Sequence, residues 1–209
     1  MPRNHEWEQT LMDTKLMALL DELHHHGVDH DATKPDRLER LRNVEPDSAA
    51  LLALLVRAVG AKRLLELGTS NGYSTVWLAE AVRSLGGTML TVDLDSQRSA
   101  MAAENLARGG LGETVELRVQ DAAETLASSA DASWEMIFLD AERPFYAGYW
   151  PDLVRVLAPG GLLAVDNVIS HADQVSDFRA LVSADERVTQ ALVPTGAGVL
   201  LVVRNPAPV

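Results

Sequence analysis

The sequence predicts an α/β domain in which helices cover both faces of a mostly parallel sheet. Five short apolar runs have the composition and length of buried strands: residues 63–67, 88–94, 115–119, 135–140 and 161–166. Stretches with helical periodicity separate most of them, and this alternation is typical of parallel sheets. The chain has 209 residues, which is enough for one substantial domain of this class.

The segment before the first strand, residues 1–45, is predicted to be a helical extension of an α/β core formed by residues 46–209. Apolar residues at helical spacing predict an amphipathic helix around residues 7–23: Trp7, Leu11, Leu16, Leu19, Leu20 and Leu23. A second helix is expected to follow. Asp47 or Ser48 can cap its start, and Gly60 can form its end.

Helices are also predicted between the strands: residues 73–85, 96–109, 121–128 and 147–157. After them, two apolar runs within residues 187–204 are joined by a Pro-Thr-Gly-Ala-Gly turn, which predicts an antiparallel hairpin at the edge of the sheet. The sequence has no internal repeat and no linker-like stretch, so we expect residues 1–209 to form a single domain.

The composition limits the classes of partner. Thirty acidic and 18 basic residues give a net charge of −12, which opposes binding to nucleic acid or to an anionic membrane and favours a small-molecule partner. No apolar run approaches the roughly 20 residues that span a bilayer. The chain has no cysteine, and its first residues lack the basic-then-apolar order of a secretory signal, so we expect a cytoplasmic protein.

In an open parallel sheet, ligands bind beyond the carboxyl ends of the strands. The first strand leads into ELGTSNGYST, where Gly68 and Gly72 permit a tight turn and the next helix offers free N–H groups to an anion. Their spacing differs from the G-x-G-x-x-G motif of dinucleotide sites and argues against NAD. A purely structural glycine turn is an equally good interpretation of this loop alone.

Acidic residues follow the next two strands. Asp93 ends the second strand, where a carboxylate can accept hydrogen bonds from both hydroxyls of a ribose. Asp95 is expected to cap the following helix. Asp121 follows the third strand and has two possible roles, as a contact of an adenine amino group or as another helix cap.

The ends of the fourth and fifth strands carry Asp140, Asp166 and Asn167. Two carboxylates and an amide oxygen at neighbouring strand ends form a hard oxygen site, which suits Mg²⁺, Mn²⁺ or Ca²⁺ better than zinc. We therefore predict a divalent metal site there.

Taken in order, the segments LLELGTSNGYST, TVDLD, QDA, IFLDAERPFY and LAPGGLLAVDNV resemble the class I S-adenosylmethionine-dependent O-methyltransferases. The similarity is to their metal-dependent group, which includes catechol and caffeoyl-CoA O-methyltransferases, and it runs from about Asn43 to Arg204. It implies a Rossmann-like, doubly wound sheet of seven strands with an antiparallel last strand. It also implies a homodimer.

The resemblance further implies a role for each matching residue. Those expected to contact S-adenosylmethionine are Val44, Glu66, Gly68 and Ser74 near its methionine end, Asp93 at the ribose, Asp121 and Ala122 at the adenine, and Asp140 near the methyl group. Those expected to bind the metal, most simply Mg²⁺, are Asp140, Asp166 and Asn167.

The same family pattern has a lysine three positions after its first metal aspartate, where this chain has Arg143. Arginine is effectively never neutral and is a poor general base. Arg143 can instead stabilise a phenolate or bind a substrate carboxylate, or it can be a surface residue paired with Glu142. His171 is a second candidate for the catalytic proton acceptor.

A cluster of histidines also occurs before the core, at His24, His25, His26 and His30. Consecutive side chains do not share one face of a helix or strand, so we expect no preformed metal site there.

The sequence allows three functions. The first is metal-assisted methyl transfer to a hydroxyl of a small aromatic, catechol-like substrate. The second is binding of S-adenosylmethionine with lost or altered catalysis, which Arg143 motivates. The third, a nucleotide-dependent oxidoreductase, is disfavoured by the missing dinucleotide motif.

Overall fold

The computed structural model describes residues 12–206, which form one mixed sheet with helices on both faces. The strands are β1 Arg63–Leu67, β2 Thr88–Asp93, β3 Val115–Val119, β4 Trp134–Leu139, β5 Leu157–Val165, β6 Val188–Val193 and β7 Val199–Arg204. The helices are α1 Thr14–Ala32, α2 Pro46–Val59, α3 Tyr73–Ser84, α4 Ser96–Arg108, α5 Ala122–Ser128, α6 Tyr146–Val156 and α7 Ser176–Ala184.

The seven strands lie in the order β3-β2-β1-β4-β5-β7-β6. Strand β7 is antiparallel to both of its neighbours, and the other pairs are parallel. This confirms the predicted doubly wound sheet with an antiparallel last strand. After β3 the chain crosses back to the other side of β1, and such a reversal of strand order opens a crevice at the carboxyl ends of the strands.

The register of the central strands aligns their carboxyl ends. Leu67 in β1 pairs with Val92 in β2 and with Leu139 in β4, and Leu139 pairs in turn with Val165 in β5. The residues that follow these positions therefore emerge at one edge of the sheet. This places the ends of four strands, with their polar residues, around a common crevice.

Both faces of the sheet are buried. Because side chains alternate along a strand, Phe138 packs with α1, α2 and α3, whereas Leu139 packs with α6 and α7. Both are fully buried, and each such side chain contributes about 1.5–3 kcal/mol to folding. The central strands are thus held rigidly beneath the loops at their carboxyl ends.

Helix α1 confirms the predicted amphipathic helix in part. Leu16, Leu19, Leu20 and Leu23 are buried, while Trp7 and Leu11 lie outside the described residues. The helix continues to Ala32 and includes the histidine cluster. Gly27 permits this extension, since a Cβ there would lie 2.4 Å from the Asn43 amide nitrogen. None of the helices within residues 12–206 is long and apolar enough to cross a membrane.

Helix α2 begins one residue before the predicted caps. Its N-cap is Glu45, and Pro46 occupies the first turn, where a missing N–H costs nothing. The prediction that Asp47 or Ser48 caps this helix is therefore wrong, because both lie within its first turn. The predicted end is confirmed, since Gly60 adopts the left-handed conformation at φ 68°.

Helix α7 was not predicted. Only Phe178 and Val182 are buried in it, four residues apart, and this single apolar pair is too short a pattern to reveal a helix. The hairpin that follows is confirmed, because β6 and β7 pair antiparallel along their whole length.

Candidate functional site

A cleft of about 490 Å³ lies at the carboxyl ends of the central strands. Its volume falls within the range of small-molecule and cofactor sites. Its walls come from the segment before α2, from the loops after β1, β2 and β3, and from the loops after β4 and β5. Most residues singled out in the sequence therefore face one space.

The loop after β1 packs directly against the loop after β4. Gly68 has a φ of 108°, and a Cβ on it would lie 2.3 Å from the carbonyl oxygen of Asp140. Only glycine fits both this conformation and this approach. The packing of the two loops therefore requires glycine at position 68, whether or not a ligand binds in the cleft.

The carboxylate of Asp93 is fixed in position beside this loop. One oxygen accepts the Ser70 backbone N–H at 2.8 Å, and the other accepts the Asp95 N–H at 2.9 Å. Each oxygen keeps a second lone pair, so the carboxylate can still accept ligand hydroxyls. Asp95 caps α4, as predicted.

Asp121 caps a helix, one of the two roles that the sequence left open, and its contact with adenine stays a prediction. Its Oδ1 caps α5 by accepting the Ala123 N–H at 2.7 Å, while the residue also lines the cleft. Within residues 12–206 its Oδ2 makes no hydrogen bond. Ala122, the first residue of α5, also lines the cleft.

Glu66 is placed differently from the other predicted cofactor contacts. Its side chain is fully buried and does not line the cleft, whereas Ser74 does. The carboxylate accepts hydroxyl hydrogen bonds from Ser74, Thr75 and Thr91 at 2.6–2.7 Å. Burial nevertheless dominates and raises the pKa of Glu66 to about 7.

This pKa predicts a pH-dependent stability. Unfolded Glu66 loses its proton near pH 4.5 and folded Glu66 near pH 7, so between these values the unfolded state binds fewer protons and the folded state loses stability as the pH rises. The loss is on the order of 3 kcal/mol. Urea unfolding of the wild type and of Glu66→Gln from pH 4 to 8 measures it. As the pH rises, the free energy of unfolding should fall more for the wild type than for Glu66→Gln. The same pH dependence in both proteins would contradict the raised pKa of Glu66.

Asp140, Asp166 and Asn167 meet between β4 and β5. The Asn167 side-chain amide donates to Asp140 at 3.1 Å and to Asp166 at 2.9 Å, and Asn167 has a φ of 65°. Asp166 is 2% exposed, and its Oδ1 has no partner within residues 12–206. Burial first, and then the charge of Asp166, holds the pKa of Asp140 well above its usual range.

The pKa of Asp166 is likewise raised, to about 6, chiefly by burial. Two buried carboxylates of raised pKa and an unpartnered oxygen form a donor set that suits a hard cation. Between residues 12 and 206, no three His, Asp or Glu side chains form a metal-ligating group. A third ligand for such a cation would be the amide oxygen of Asn167, after a flip of the side-chain amide that now donates to both carboxylates.

Arg143 is buried, with 4% of its surface exposed, and it lines the cleft. Its Nε donates to the side-chain oxygen of Gln174 at 2.9 Å. Glu142 pairs instead with Arg37 at 2.9 Å and with Arg42 at 3.1 Å. The alternative of a surface arginine paired with Glu142 is therefore wrong.

His171 lines the same cleft, and its Nδ1 lies 2.8 Å from the Ser170 hydroxyl. Burial, followed by the charges of Arg143, Arg37 and Arg42, lowers the pKa of His171. The imidazole is therefore neutral at neutral pH, which is the form that can accept a proton.

The segment of residues 37–45, called the strap below, forms a wall of the cleft, of which only Val44 was predicted from the sequence. The backbone N–H groups of Leu41 and Arg42 donate to the Asp31 carboxylate at 2.7 and 2.9 Å. The Ser70 hydroxyl donates to the Leu41 carbonyl at 2.8 Å, which joins the strap to the loop after β1. Val44, the predicted cofactor contact, is a buried part of this wall.

Three comparisons with known proteins agree with this geometry. The O-methyltransferase family matches residues 13–205 of the chain. A catechol O-methyltransferase from Niastella koreensis is 37% identical over 130 residues, which cover 61% of this chain and 58% of that protein. The match thus spans less than two thirds of that relative's length.

Solved structures show the same fold. The O-methyltransferase from Bacillus cereus, in complex with S-adenosylhomocysteine, has a TM-score of 0.74 and 26% identity over 93% of this chain and 92% of its own. The O-methyltransferase from Streptomyces achromogenes, in complex with S-adenosylmethionine, has the same score and identity over 93% of this chain and 91% of its own. With the family match covering almost all of the described residues, the chain belongs to the O-methyltransferase family.

Proposed function

We propose that the protein transfers the methyl group of S-adenosylmethionine to a hydroxyl of a small, catechol-like aromatic substrate with the help of a divalent cation. One observation carries the proposal. The cluster of Asp140, Asp166 and Asn167 lies in the same cleft as the glycine loop and Asp93, so an acceptor site and a nucleoside site adjoin each other.

The cleft has suitable partners for each part of the cofactor. Asp93 accepts the ribose hydroxyls, and the free oxygen of Asp121 accepts the adenine amino group. The backbone of Gly68 and the hydroxyl of Ser74 face the methionine end, with Val44 opposite in the strap. The ligands named for the Bacillus cereus and Streptomyces achromogenes structures support this choice of cofactor.

The cation is assigned to Asp140, Asp166 and the amide oxygen of Asn167, most simply as Mg²⁺. When bound, it lowers the pKa of a chelating hydroxyl and fixes its orientation. The protein's own part is to keep the buried carboxylates in place and to exclude bulk water. Holding the acceptor oxygen in line with the methyl group supplies much of the rate enhancement.

The hydroxyl proton needs an acceptor, and His171 is assigned to this role because its lowered pKa keeps the ring neutral. In the transfer step a bond forms between the acceptor oxygen and the methyl carbon while the carbon–sulfur bond breaks. The proton moves to the imidazole, the products are a methyl ether and S-adenosylhomocysteine, and the sulfonium charge is lost.

Methyl transfer to a catechol panel with S-adenosylmethionine and Mg²⁺ tests the proposal. Turnover is expected with Mg²⁺ and should fall at least about 100-fold with excess EDTA, because Lewis-acid stabilisation is worth several kcal/mol. Calorimetric binding of S-adenosylmethionine serves as the control and should survive EDTA. Tight cofactor binding without turnover on any acceptor would favour the second function, a cofactor-binding protein with altered catalysis.

A further inference from the structure

Arg143 is a buried cation with few partners. One hydrogen bond, from Nε to Gln174, is present, and the residue forms no ion pair within residues 12–206. Moving a guanidinium out of water is costly unless a counter-charge compensates it. A side chain held in this state at the wall of a cleft indicates that a ligand supplies the missing charge.

The acidic groups nearby do not supply that charge. Glu142 is shared between Arg37 and Arg42. The charge of Arg143 opposes, without cancelling, the rise in the pKa of Asp140 and of Asp166, but both carboxylates accept hydrogen bonds from the Asn167 amide and neither accepts one from the guanidinium. Arg143 thus has no carboxylate partner among the described residues. Arg40 also lines the cleft without one, but it is only half-buried and its Nε donates to the Lys34 carbonyl, so Arg143 is the buried case.

The hydrogen bond to Gln174 also orients the guanidinium. With Nε occupied, the two terminal nitrogens remain as a pair of parallel donors, the arrangement that matches a carboxylate with two hydrogen bonds. Arg143 and Phe145 belong to a short 3-10 helix, Arg143–Phe145. Phe145 is 58% exposed at the cleft and stacks on Tyr149 at 6.4 Å between ring centres. An exposed aromatic surface and a pair of donors suited to a carboxylate therefore line the same cleft.

We propose that Arg143 is a specificity-determining residue that binds a carboxylate of the acceptor, so that the substrate is a hydroxylated aromatic acid. This inference rests on the proposed function and narrows its substrate class. A phosphate dianion fits less well, because Arg37 and Arg42 are already paired with Glu142 and Arg40 is turned to the Lys34 carbonyl.

Binding measured without turnover tests the inference directly. Protein saturated with S-adenosylhomocysteine and Mg²⁺ is titrated by calorimetry with 3,4-dihydroxybenzoate and with 3,4-dihydroxybenzamide, which differ only in the charged group. The wild type should bind the acid about 10- to 100-fold more tightly, as expected for hydrogen bonds to a charged group. Arg143→Gln should remove this preference, because it should weaken binding of the acid and leave binding of the amide unchanged.

Two further variants separate geometry from charge. Arg143→Lys keeps the charge without the paired donors and should retain only part of the preference, roughly threefold to tenfold. Arg118→Gln removes a positive charge from an exposed residue of β3 that pairs with Glu116, and it should behave as the wild type. Equal affinities for acid and amide in the wild type would overturn the inference, as would an unchanged preference in Arg143→Gln or no binding of either compound.

Replacing S-adenosylhomocysteine by S-adenosylmethionine in the same samples separates the two proposals. Selective binding of the acid through Arg143 without methyl transfer would overturn the proposed function and leave the carboxylate site standing. Methyl transfer to both compounds with equal kcat/KM would support the proposed function and overturn the carboxylate site. Binding of S-adenosylhomocysteine to Arg143→Gln confirms that this variant is folded.

Discussion

Asp140→Asn is expected to abolish methyl transfer while leaving the protein at least as stable as the wild type. The substitution keeps the size of the side chain and the oxygen that accepts from Asn167, but it removes a charge needed to hold the cation. Loss of several kcal/mol of transition-state stabilisation corresponds to about 10²- to 10⁴-fold in rate. Stability should not fall, because Asp140 is a buried carboxyl repelled by Asp166.

Initial rates with Mg²⁺ and thermal unfolding without Mg²⁺ check both parts. Asp177→Asn, at an exposed position near the start of α7, is the matched control and should change neither quantity. Activity of Asp140→Asn within threefold of the wild type would show that the acceptor site is misplaced. A large drop in stability with the activity lost would instead indicate a structural role.

Gly68→Ala is expected to be strongly destabilising, by about 3 kcal/mol or more. A φ of 108° is strained for any residue with a Cβ, and the added atom would lie 2.3 Å from the Asp140 carbonyl oxygen. Relieving that contact requires the loop after β1 to move away from the loop after β4. Weaker cofactor binding should accompany the loss of stability, because this loop also lines the cleft.

Gly86→Ala provides the comparison that isolates the contact. Gly86 also has a positive φ, of 70°, but nothing lies within 4 Å of a Cβ placed there. The Gly86→Ala substitution should therefore lower the free energy of unfolding only by the conformational strain, roughly 1 kcal/mol. Chemical denaturation of the two variants gives the difference, and equal losses would mean that the close approach at Gly68 is readily relieved.

The strands and the residues at their ends were predictable because they depend on local patterns. Buried parallel strands are continuous apolar runs, and a parallel register brings their carboxyl ends together. The positions of Asp140 and Asp166, each directly after such a run, follow from this rule alone. The sequence therefore predicted that Asp140, Asp166 and Asn167 lie close together, and the contacts of Asn167 confirm it. Their roles stay predictions.

Other parts of the site depend on contacts between distant segments, which sequence patterns do not encode. One of the alternatives left open paired Glu142 with its neighbour Arg143, but Glu142 pairs with Arg37, which precedes it by 105 residues. Arg143 itself turns to Gln174, which follows it by 31 residues. The strap has no periodicity to mark it, so apart from Val44, which the family resemblance indicated, its place at the cleft could not be inferred.

The two ion pairs of Glu142 also connect two walls of the cleft. They join the strap, through Arg37 and Arg42, to the loop that follows β4, and all three side chains remain partly exposed. Exposed pairs of this kind contribute about 0–1 kcal/mol each. The cost of moving the strap is therefore set less by these pairs than by its hydrogen bonds to Asp31 and Ser70 and by the burial of Leu41 and Val44.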